Sequence, residues 1–273
     1  MIRRPAVAGM FYPADPAELR ARVQDFINGS GYRADGSVRG IVSPHAGYIY
    51  SGAVAGAAFA SAPGDVKNVV IIAPTHRFPV PGASVLNAHG YLTPLGTASI
   101  NREITQDLLD QGLLDIPRAH EAEHAAEVQV PFVQVKWPDA SLTVILQGDR
   151  SDRFCRDLSQ LLGSVLESVP DCLIVISSDL SHYHSRKEAE IKDGRIIQAF
   201  LSRDPGNLAE ALKSGGEACG AGPMLTLMHY AGIRGYRSFR RLAWDTSASA
   251  SGDTGAVVGY FAGSCGLEED HDN

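Results

Sequence analysis

The sequence contains few cysteines and no apolar run long enough to cross a membrane. Its four cysteines are spread over 273 residues without a CxxC pair. This usage argues against a disulfide scaffold and favours reduced thiols in a cytoplasmic protein. The longest apolar stretches reach only about half of the ~20 residues that a membrane-spanning helix needs. No apolar segment follows the basic residues near Met1, so neither a signal peptide nor membrane insertion is expected.

An excess of basic charge is also absent. The chain carries 24 Lys and Arg against 31 Asp and Glu, a formal net charge of −7. This balance argues against a general surface for nucleic acids or anionic membranes. The hydrophobic share of 44% and the charged share of 20% are typical of a globular protein. Because no shift in composition marks a linker and no repeat occurs, we expect one domain over residues 1–273, with 268–273 as a frayed acidic tail.

Three apolar segments are each followed closely by a histidine. They cover residues 41–42, 69–73 and 172–176, and the histidines that follow them are His45, His76 and His182. Continuous apolar runs of this kind are typical of strands buried on both faces of a parallel sheet. Predicted helices alternate with these strands, which indicates an α/β fold. Ligands of such folds bind beyond the carboxyl ends of the strands, so we expect the three histidines at one edge of the sheet.

Capping residues predict where several helices begin. Asp15, followed by Pro16 and Glu18, combines a capping side chain with proline in the first turn and an acidic residue at the third helical position. Asn101 and Ser151 are expected to cap two further helices. The segment 179–182 is interpreted as a loop after the third histidine-bearing strand, and the segments 236–243 and 255–262 as the last strands.

His45 and His76 are the first candidates for metal ligands. Each follows a proline that ends an apolar strand, and neutral imidazole commonly binds zinc, iron and copper. For a single histidine in a turn, a hydrogen bond to a backbone carbonyl would be the better interpretation. The repeated context favours metal binding.

Cys219 admits two interpretations. A cysteine among small residues is usually a small buried apolar side chain. Its position just before a predicted helix is also compatible with a thiolate, because a helix N-terminus or a nearby metal lowers the pKa of a thiol. The residues alone leave this choice open.

Asp179 and His182 form a candidate acid–base pair. An aspartate that orients an imidazole, with the imidazole exchanging protons with the substrate, is a common arrangement. The alternative for Asp179 is helix capping, which Ser178 or Ser181 could also perform, and it carries about equal weight.

Further residues are candidates for a substrate pocket. His124 and Glu127, spaced i and i+3, can face the same edge of the sheet, whereas the nearby Glu121, Glu123 and His120 are expected to form a solvated surface. Phe11 and Tyr50 can line a pocket for a planar or phenolic ligand. Aromatic packing in the core is the alternative for each of them.

Six short motifs, in this order over nearly the whole chain, resemble the Memo family. They are Ala-Gly-Met-Phe-Tyr-Pro (8–13), Pro-His-Ala-Gly-Tyr (44–48), Ala-Pro-Thr-His (73–76), Glu-His-Ala-Ala-Glu (123–127), Ser-Ser-Asp-Leu-Ser-His (177–182) and Cys-Gly (219–220). The resemblance implies a fold like that of class III extradiol dioxygenases. This is a three-layer αβα domain whose central layer is a mixed, mainly parallel sheet. Those enzymes bind non-haem Fe(II) through two histidines and a carboxylate.

The Memo pattern has cysteine as the third ligand, which corresponds here to His45, His76 and Cys219. His182, with Asp179 beside it, corresponds to the acid–base histidine near the metal. A thiolate shifts preference towards softer ions such as Cu(I), without excluding Fe(II) or Zn(II). Eukaryotic Memo proteins have histidine where this chain has Gln129, so Gln129 is not assigned to the site.

Three functions follow as hypotheses. The first is a metal-dependent redox enzyme, oxidase- or dioxygenase-like, that uses one iron or copper ion on a small substrate. The second is a non-catalytic module that binds a phosphotyrosine-type peptide or another anionic partner in the same pocket. The third is a zinc hydrolase. Bacterial relatives are grouped with an AMMECR-type protein and a radical-SAM protein, which suggests both as partners.

Overall fold

The computed structural model describes residues 1–268 and forms a mixed α/β fold. Its strands, in chain order, are β1 (Ile2–Arg3), β2 (Val38–Ser43), β3 (Asn68–Pro74), β4 (Ala83–Val85), β5 (Gly90–Thr93), β6 (Gly96–Ser99), β7 (Ser141–Gln147), β8 (Cys172–Ser177), β9 (Asp179–His184), β10 (Ser238–Thr246) and β11 (Val257–Gly266). Its helices are α1 (Pro16–Gly29), α2 (Tyr48–Ser61), α3 (Arg102–Asp110), α4 (Pro117–Glu121), α5 (Val130–Lys136), α6 (Asp152–Val165), α7 (Arg186–Leu201), α8 (Pro205–Lys213), α9 (Ala221–Arg234) and α10 (Ala248–Ser251).

An eight-stranded mixed sheet lies at the centre of the fold. Its order is β10-β11-β2-β8-β3-β7-β4, and β9 also pairs with β11. The central strands β2, β8, β3 and β7 are parallel to one another, whereas β4, β9, β10 and β11 pair antiparallel. The expected α/β class with a mixed sheet is confirmed, and its parallel part is the four central strands. A separate three-stranded sheet, β1-β5-β6, was not predicted.

Two hydrophobic cores lie on opposite faces of the sheet. Along β3, Val69 and Ile71 contribute to one core, while Val70 and Ile72 contribute to the other, as the two-residue period of a strand requires. Helices α1, α2 and α5 supply buried side chains to the first core, and α3, α6, α7 and α9 supply the second. The sheet and the helices on its two faces form the three expected layers.

Strand β11 brings two chain segments together beside the candidate site. Its second half pairs with β2, and its first half pairs with β9. The end of β2 therefore lies next to the start of β9, where Asp179 is located. The backbone N–H of His45 donates to Oδ1 of Asp179 over 2.7 Å, which joins the two segments directly.

The predicted helix starts agree with the structure. The side chains of Asp15, Asn101 and Ser151 accept hydrogen bonds from the backbone three residues further on and cap α1, α3 and α6. The loop predicted at 179–182 is wrong, because these residues belong to β9. None of the helices among residues 1–268 is both long enough and apolar enough to span a membrane. Of the predicted tail 268–273, all but Glu268 lies outside the described residues.

Candidate metal centre

His45 is held in one orientation by hydrogen bonds on both sides of its ring. It is 2% exposed, and its Nδ1 lies 2.8 Å from Oγ of Ser177. That hydroxyl donates its hydrogen to the carbonyl of Ala125 over 2.6 Å, so it accepts from Nδ1–H of His45. Nε2 therefore carries the lone pair, and it lies 3.1 Å from Sγ of Cys219. Burial, together with the neighbouring histidines, lowers the pKa of His45 and keeps the ring neutral, as a metal ligand must be.

His76 is oriented by the buried carboxylate of Glu123. Its Nδ1 lies 3.0 Å from Oε1, and its backbone N–H donates to Oε2 over 2.5 Å. Burial raises the pKa of Glu123, but hydrogen bonds from His76 and Ala125 outweigh it and lower that pKa to about 2. The ionised carboxylate only accepts, so Nδ1 of His76 carries the proton and Nε2 is available to a ligand. The solvated surface expected for Glu123 is wrong, since this residue is 1% exposed.

Cys219 is the third potential ligand, and it is far from His45 and His76 in the sequence. It precedes α9, and its Sγ accepts a hydrogen bond from the backbone N–H of Asp179 over 3.1 Å. Burial and the nearby Asp179 carboxylate raise the pKa of the Cys219 thiol. Without a cation the sulfur is therefore protonated, and a bound cation would favour the thiolate.

The three side chains fit one transition-metal ion. Ligand atoms of His45, His76 and Cys219 all lie within 4.8 Å of one another. Metal–nitrogen bonds of roughly 2.0 Å and metal–sulfur bonds of roughly 2.3 Å place tetrahedral ligand atoms roughly 3.5 Å apart. Small movements would therefore suffice, and two imidazoles with one thiol suit zinc, copper or iron.

His124 lies next to His45 and His76 but is not one of the three potential ligands in the group of His45, His76 and Cys219. Its ring stacks on that of His76, with centroids 4.9 Å apart, and lies 4.9 Å from the ring of Phe11. His124, His76 and Glu123 form a second set of potential ligands within 4.8 Å. The oxygens of Glu123 are already occupied by N–H groups of His76 and Ala125. The buried Nδ1 of His124 has no hydrogen-bond partner among the described residues.

His182 and Asp179 both lie on β9, but they form hydrogen bonds with different neighbours. Nδ1 of His182 lies 2.8 Å from the carbonyl oxygen of Leu180, which fixes Nδ1–H as a donor and leaves Nε2 as an acceptor. The Asp179 carboxylate accepts from backbone N–H groups of His45 and Ala46 instead of orienting the His182 ring, and burial raises its pKa to about 7. The expected Asp–His hydrogen bond is therefore not formed.

An open cavity of about 760 Å³ leads to these residues. Of the residues predicted to form the site or its pocket, those that line this cavity are His45, His76, Asp179, His182, Phe11, Tyr50 and His124. Cys219 instead lines a neighbouring cavity of about 460 Å³, which His182 also lines.

Glu127 does not line the larger cavity, which corrects its predicted place in the pocket. Its carboxylate is fully buried and ion-paired with Arg3. It also accepts from the hydroxyl of Tyr12 over 2.6 Å and from the backbone N–H groups of Ala6 and Val7. Glu127 therefore anchors the N-terminal segment that carries Phe11.

Comparisons with known proteins agree on one family. A family model described as "Memo-like protein" matches residues 3–264. A MEMO1 family protein of Methanothermobacter thermautotrophicus is 34% identical over 95% of this chain and 99% of its own length. One of Thermotoga maritima is 36% identical over 96% and 99%. An uncharacterized Escherichia coli K12 protein of known structure gives a TM-score of 0.44 at 13% identity, covering 74% of this chain and 87% of its own, a similarity too low to support an inference.

Proposed function

The chain belongs to the Memo family, and we propose that it is a metal-dependent redox enzyme, oxidase- or dioxygenase-like. The observation that carries the proposal is the convergence of His45, His76 and Cys219 within 4.8 Å. Both histidines line a cavity large enough for a small organic substrate. The proposed cofactor is one iron or copper ion, with zinc as the alternative that the same ligand types allow.

The bound ion would supply Lewis acidity and, for iron or copper, one-electron chemistry. The residues around it perform the remaining tasks. Ser177 and Glu123 hold the rings of His45 and His76 with Nε2 free. Phe11, Tyr50 and His124 offer ring surfaces to a substrate in the cavity.

His182 is the proposed acid–base group. Its Nδ1–H donates to the carbonyl of Leu180, and its ring lines the cavity. Its other nitrogen, Nε2, is therefore the atom that would take a proton from the substrate and later return it. Asp179 acts as a positioning residue, because its carboxylate holds the backbone of His45 and its N–H donates to Cys219.

The proposed location is the cytoplasm, where the free thiols of all four cysteines would be kept reduced. The proposed protein partners are the AMMECR-type and radical-SAM proteins that the resemblance implies. Co-purification of the tagged chain with each of them would test this.

Metal analysis tests the proposal. We expect about one iron or copper ion per chain in protein purified without chelators, and loss of that ion in His45→Ala and Cys219→Ser. Cys172→Ser is the matched control, since Cys172 lies at the opposite end of β8. After anaerobic loading with Fe(II) or Cu(I), oxygen consumption with a panel of phenols and thiols is expected, and it should fall at least about a hundredfold in His182→Gln. A metal-independent activity, or retention of the ion in both ligand variants, would contradict the proposal.

A further inference from the structure

Another cavity lies at the opposite edge of the central sheet. Its volume is about 380 Å³, and it is lined by residues at the starts of β2 and β8, in the loop before β3 and at the end of α9. Cys172, the first residue of β8, lines this cavity, whereas Ser177, which holds the ring of His45, is the last residue of the same strand. At about 3.3 Å per residue, the two ends of β8 are about 17 Å apart. The cavity is therefore separate from the candidate metal centre.

Two arginines from distant parts of the chain line this second cavity. Arg39 lies on β2, and Arg234 is the last residue of α9. Neither guanidinium forms an ion pair with a carboxylate within residues 1–268. Nη1 of Arg39 donates to the carbonyls of Gly36 and Val38, while Nε and Nη2 have no acceptor in that part of the chain. Because like charges repel, two unpaired guanidiniums at one cavity favour the binding of an anion beside them.

The hydroxyl of Tyr236 adds a hydrogen-bond donor to the same lining. It accepts hydrogen bonds from the guanidinium of Arg234 and from the hydroxyl of Tyr230. Arginine can only donate, and a phenolic hydroxyl has one hydrogen of its own. The hydrogen of Tyr236 has no acceptor within the described residues, so it is available to a ligand in the cavity.

Cys172 does not make this cavity a site of covalent chemistry. Burial raises the pKa of its thiol to about 12, against the opposing effect of the Arg234 charge. The thiol is therefore protonated at neutral pH and is a poor nucleophile. Burial likewise raises the pKa values of Tyr230 and Tyr236, so both hydroxyls keep their hydrogens. The lining is suited to reversible binding.

The charges around the cavity favour an anion over a cation. Residues 218–244, which include Arg234, contain four arginines and no acidic residue, in a chain of net charge −7. Asp65 lines the cavity, but its carboxylate lies 2.8 Å from Nζ of Lys67. Asp171 also lines it, and its carboxylate has no ion-pair partner among the described residues. Asp171 is therefore the one lining residue whose unpaired negative charge should weaken anion binding.

From these observations we infer that this cavity is a binding site for a small phosphate-type oxyanion, held by Arg39, Arg234 and the hydroxyl of Tyr236. Guanidinium groups bind phosphate oxygens through parallel hydrogen bonds. The side chains of Leu166 and Val169 in the same lining could contact a carbon skeleton attached to the phosphate. The inference does not depend on the proposed redox function, because His45, His76 and Cys219 do not line this cavity.

Isothermal titration calorimetry with inorganic phosphate tests the site. We expect Arg39→Gln and Arg234→Gln each to raise the Kd of phosphate about tenfold, and Tyr236→Phe to raise it about fivefold. Asp171→Asn should lower the Kd, because it removes a negative charge from the cavity. Arg153→Gln is the matched control, since Arg153 is exposed and lies outside this cavity. Glycerol phosphate should bind more tightly than inorganic phosphate if the natural ligand is a phosphate ester, and more weakly if it is the free ion.

Phosphate bound in the large cavity would give a different pattern. Arg77 lines that cavity and His45 belongs to the metal centre, so Arg77→Gln and His45→Ala should change the Kd of phosphate less than about twofold. Saturating phosphate should also slow the labelling of Cys172 by iodoacetamide, measured by peptide mass spectrometry, because the ligand covers the thiol. If Arg39→Gln does not fold, Arg39→Lys keeps the charge and should raise the Kd by a smaller factor. No binding of phosphate, or an unchanged Kd in the variants of both Arg39 and Arg234, would overturn the inference.

Discussion

Nδ1 of His76 lies 3.0 Å from Oε1 of Glu123, a buried carboxylate that also accepts the backbone N–H of the same histidine. One acidic side chain thus fixes both the ring and the backbone of a proposed ligand. Arg3 in turn donates to the backbone carbonyl of Glu123 over 2.7 Å, which ties the backbone of this residue to the N-terminal segment.

Replacing Glu123 should therefore weaken metal binding without removing a ligand. We expect Glu123→Gln to lower the affinity for Zn(II) or Fe(II) about 10- to 100-fold, because the amide no longer orients and polarises the His76 ring. Competition titration against a chromophoric chelator measures this. Glu121→Gln is the matched control, since Glu121 is exposed at the end of α4. Equal affinities of the wild type and Glu123→Gln would show that the contact with His76 has no effect on the metal.

The ion pair between Arg3 and Glu127 should contribute strongly to stability. Both side chains are buried, and Arg3 also donates to the carbonyl of His120 over 3.0 Å. Removing one member of a buried pair typically costs about 3–5 kcal/mol, because the other charge is left unpaired. We expect this loss in the free energy of unfolding of Arg3→Met, measured by urea denaturation.

The exposed pair of Arg156 and Asp152 is the comparison for that experiment, and Arg156→Met should cost less than about 1 kcal/mol. If Arg3→Met does not fold, Arg3→Lys keeps the charge and loses guanidinium hydrogen bonds to the carbonyls of His120 and Glu123, so it should fold with a smaller loss. Similar stabilities of Arg3→Met and Arg156→Met would contradict the prediction.

Gly259 should tolerate no side chain. A Cβ at this position would lie 1.9 Å from Oδ2 of Asp193, a buried carboxylate that accepts the N–H of Ser181 and the indole N–H of Trp244. We expect Gly259→Ala to lower the free energy of unfolding by at least about 2 kcal/mol and to displace β9. Gly194→Ala, with no atom near its Cβ and a position inside α7, should instead be stabilising by about 0.5–1 kcal/mol. Thermal denaturation of the two variants measures both effects.

His120 should make stability depend on pH. Burial, and next the charge of Arg3, lower the pKa of His120 from 6.5 to about 4. Below pH 6.5 the unfolded chain therefore binds a proton that the folded protein does not, and stability falls as the pH decreases from 6.5 towards 4. Between pH 7 and pH 5 this group should account for a loss of about 2 kcal/mol. In His120→Gln, the decrease in the free energy of unfolding between pH 7 and pH 5, measured by urea denaturation, should be smaller by about 2 kcal/mol. An identical pH dependence of the wild type and His120→Gln would refute the prediction.

Local chemistry explains which parts of the fold were predictable. The caps at Asp15, Asn101 and Ser151 act within one helical turn, so the sequence suffices to find them. Strand β9 is polar along most of its length and exists through its pairing with β11, which a local pattern does not encode. Strands of the small sheet, such as Ile2–Arg3, are too short to show a period.

Some residues of the candidate site could likewise be placed from the sequence, and others could not. His45 and His76 follow apolar strands, and the rule for strand ends in parallel sheets was enough to place them at one edge. Cys219 could be assigned to them only through the family resemblance. Glu123 lies in a segment rich in charged residues and was interpreted as solvated. Its burial depends on contacts with His76 and Arg3, far away in the sequence. The signal that pointed to it was its place in the Glu-His-Ala-Ala-Glu motif.

His45 and Cys219 are separated by 174 positions in the chain, yet their ligand atoms lie 3.1 Å apart. An ion bound there has no counterpart of similar affinity in the unfolded chain, so binding and folding are thermodynamically linked. At a free ion concentration one hundred times the Kd, this linkage adds about 2.7 kcal/mol to the stability of the native state. Metal supply in the cell would then set not only how much of the protein is active but also how long each molecule survives proteolysis.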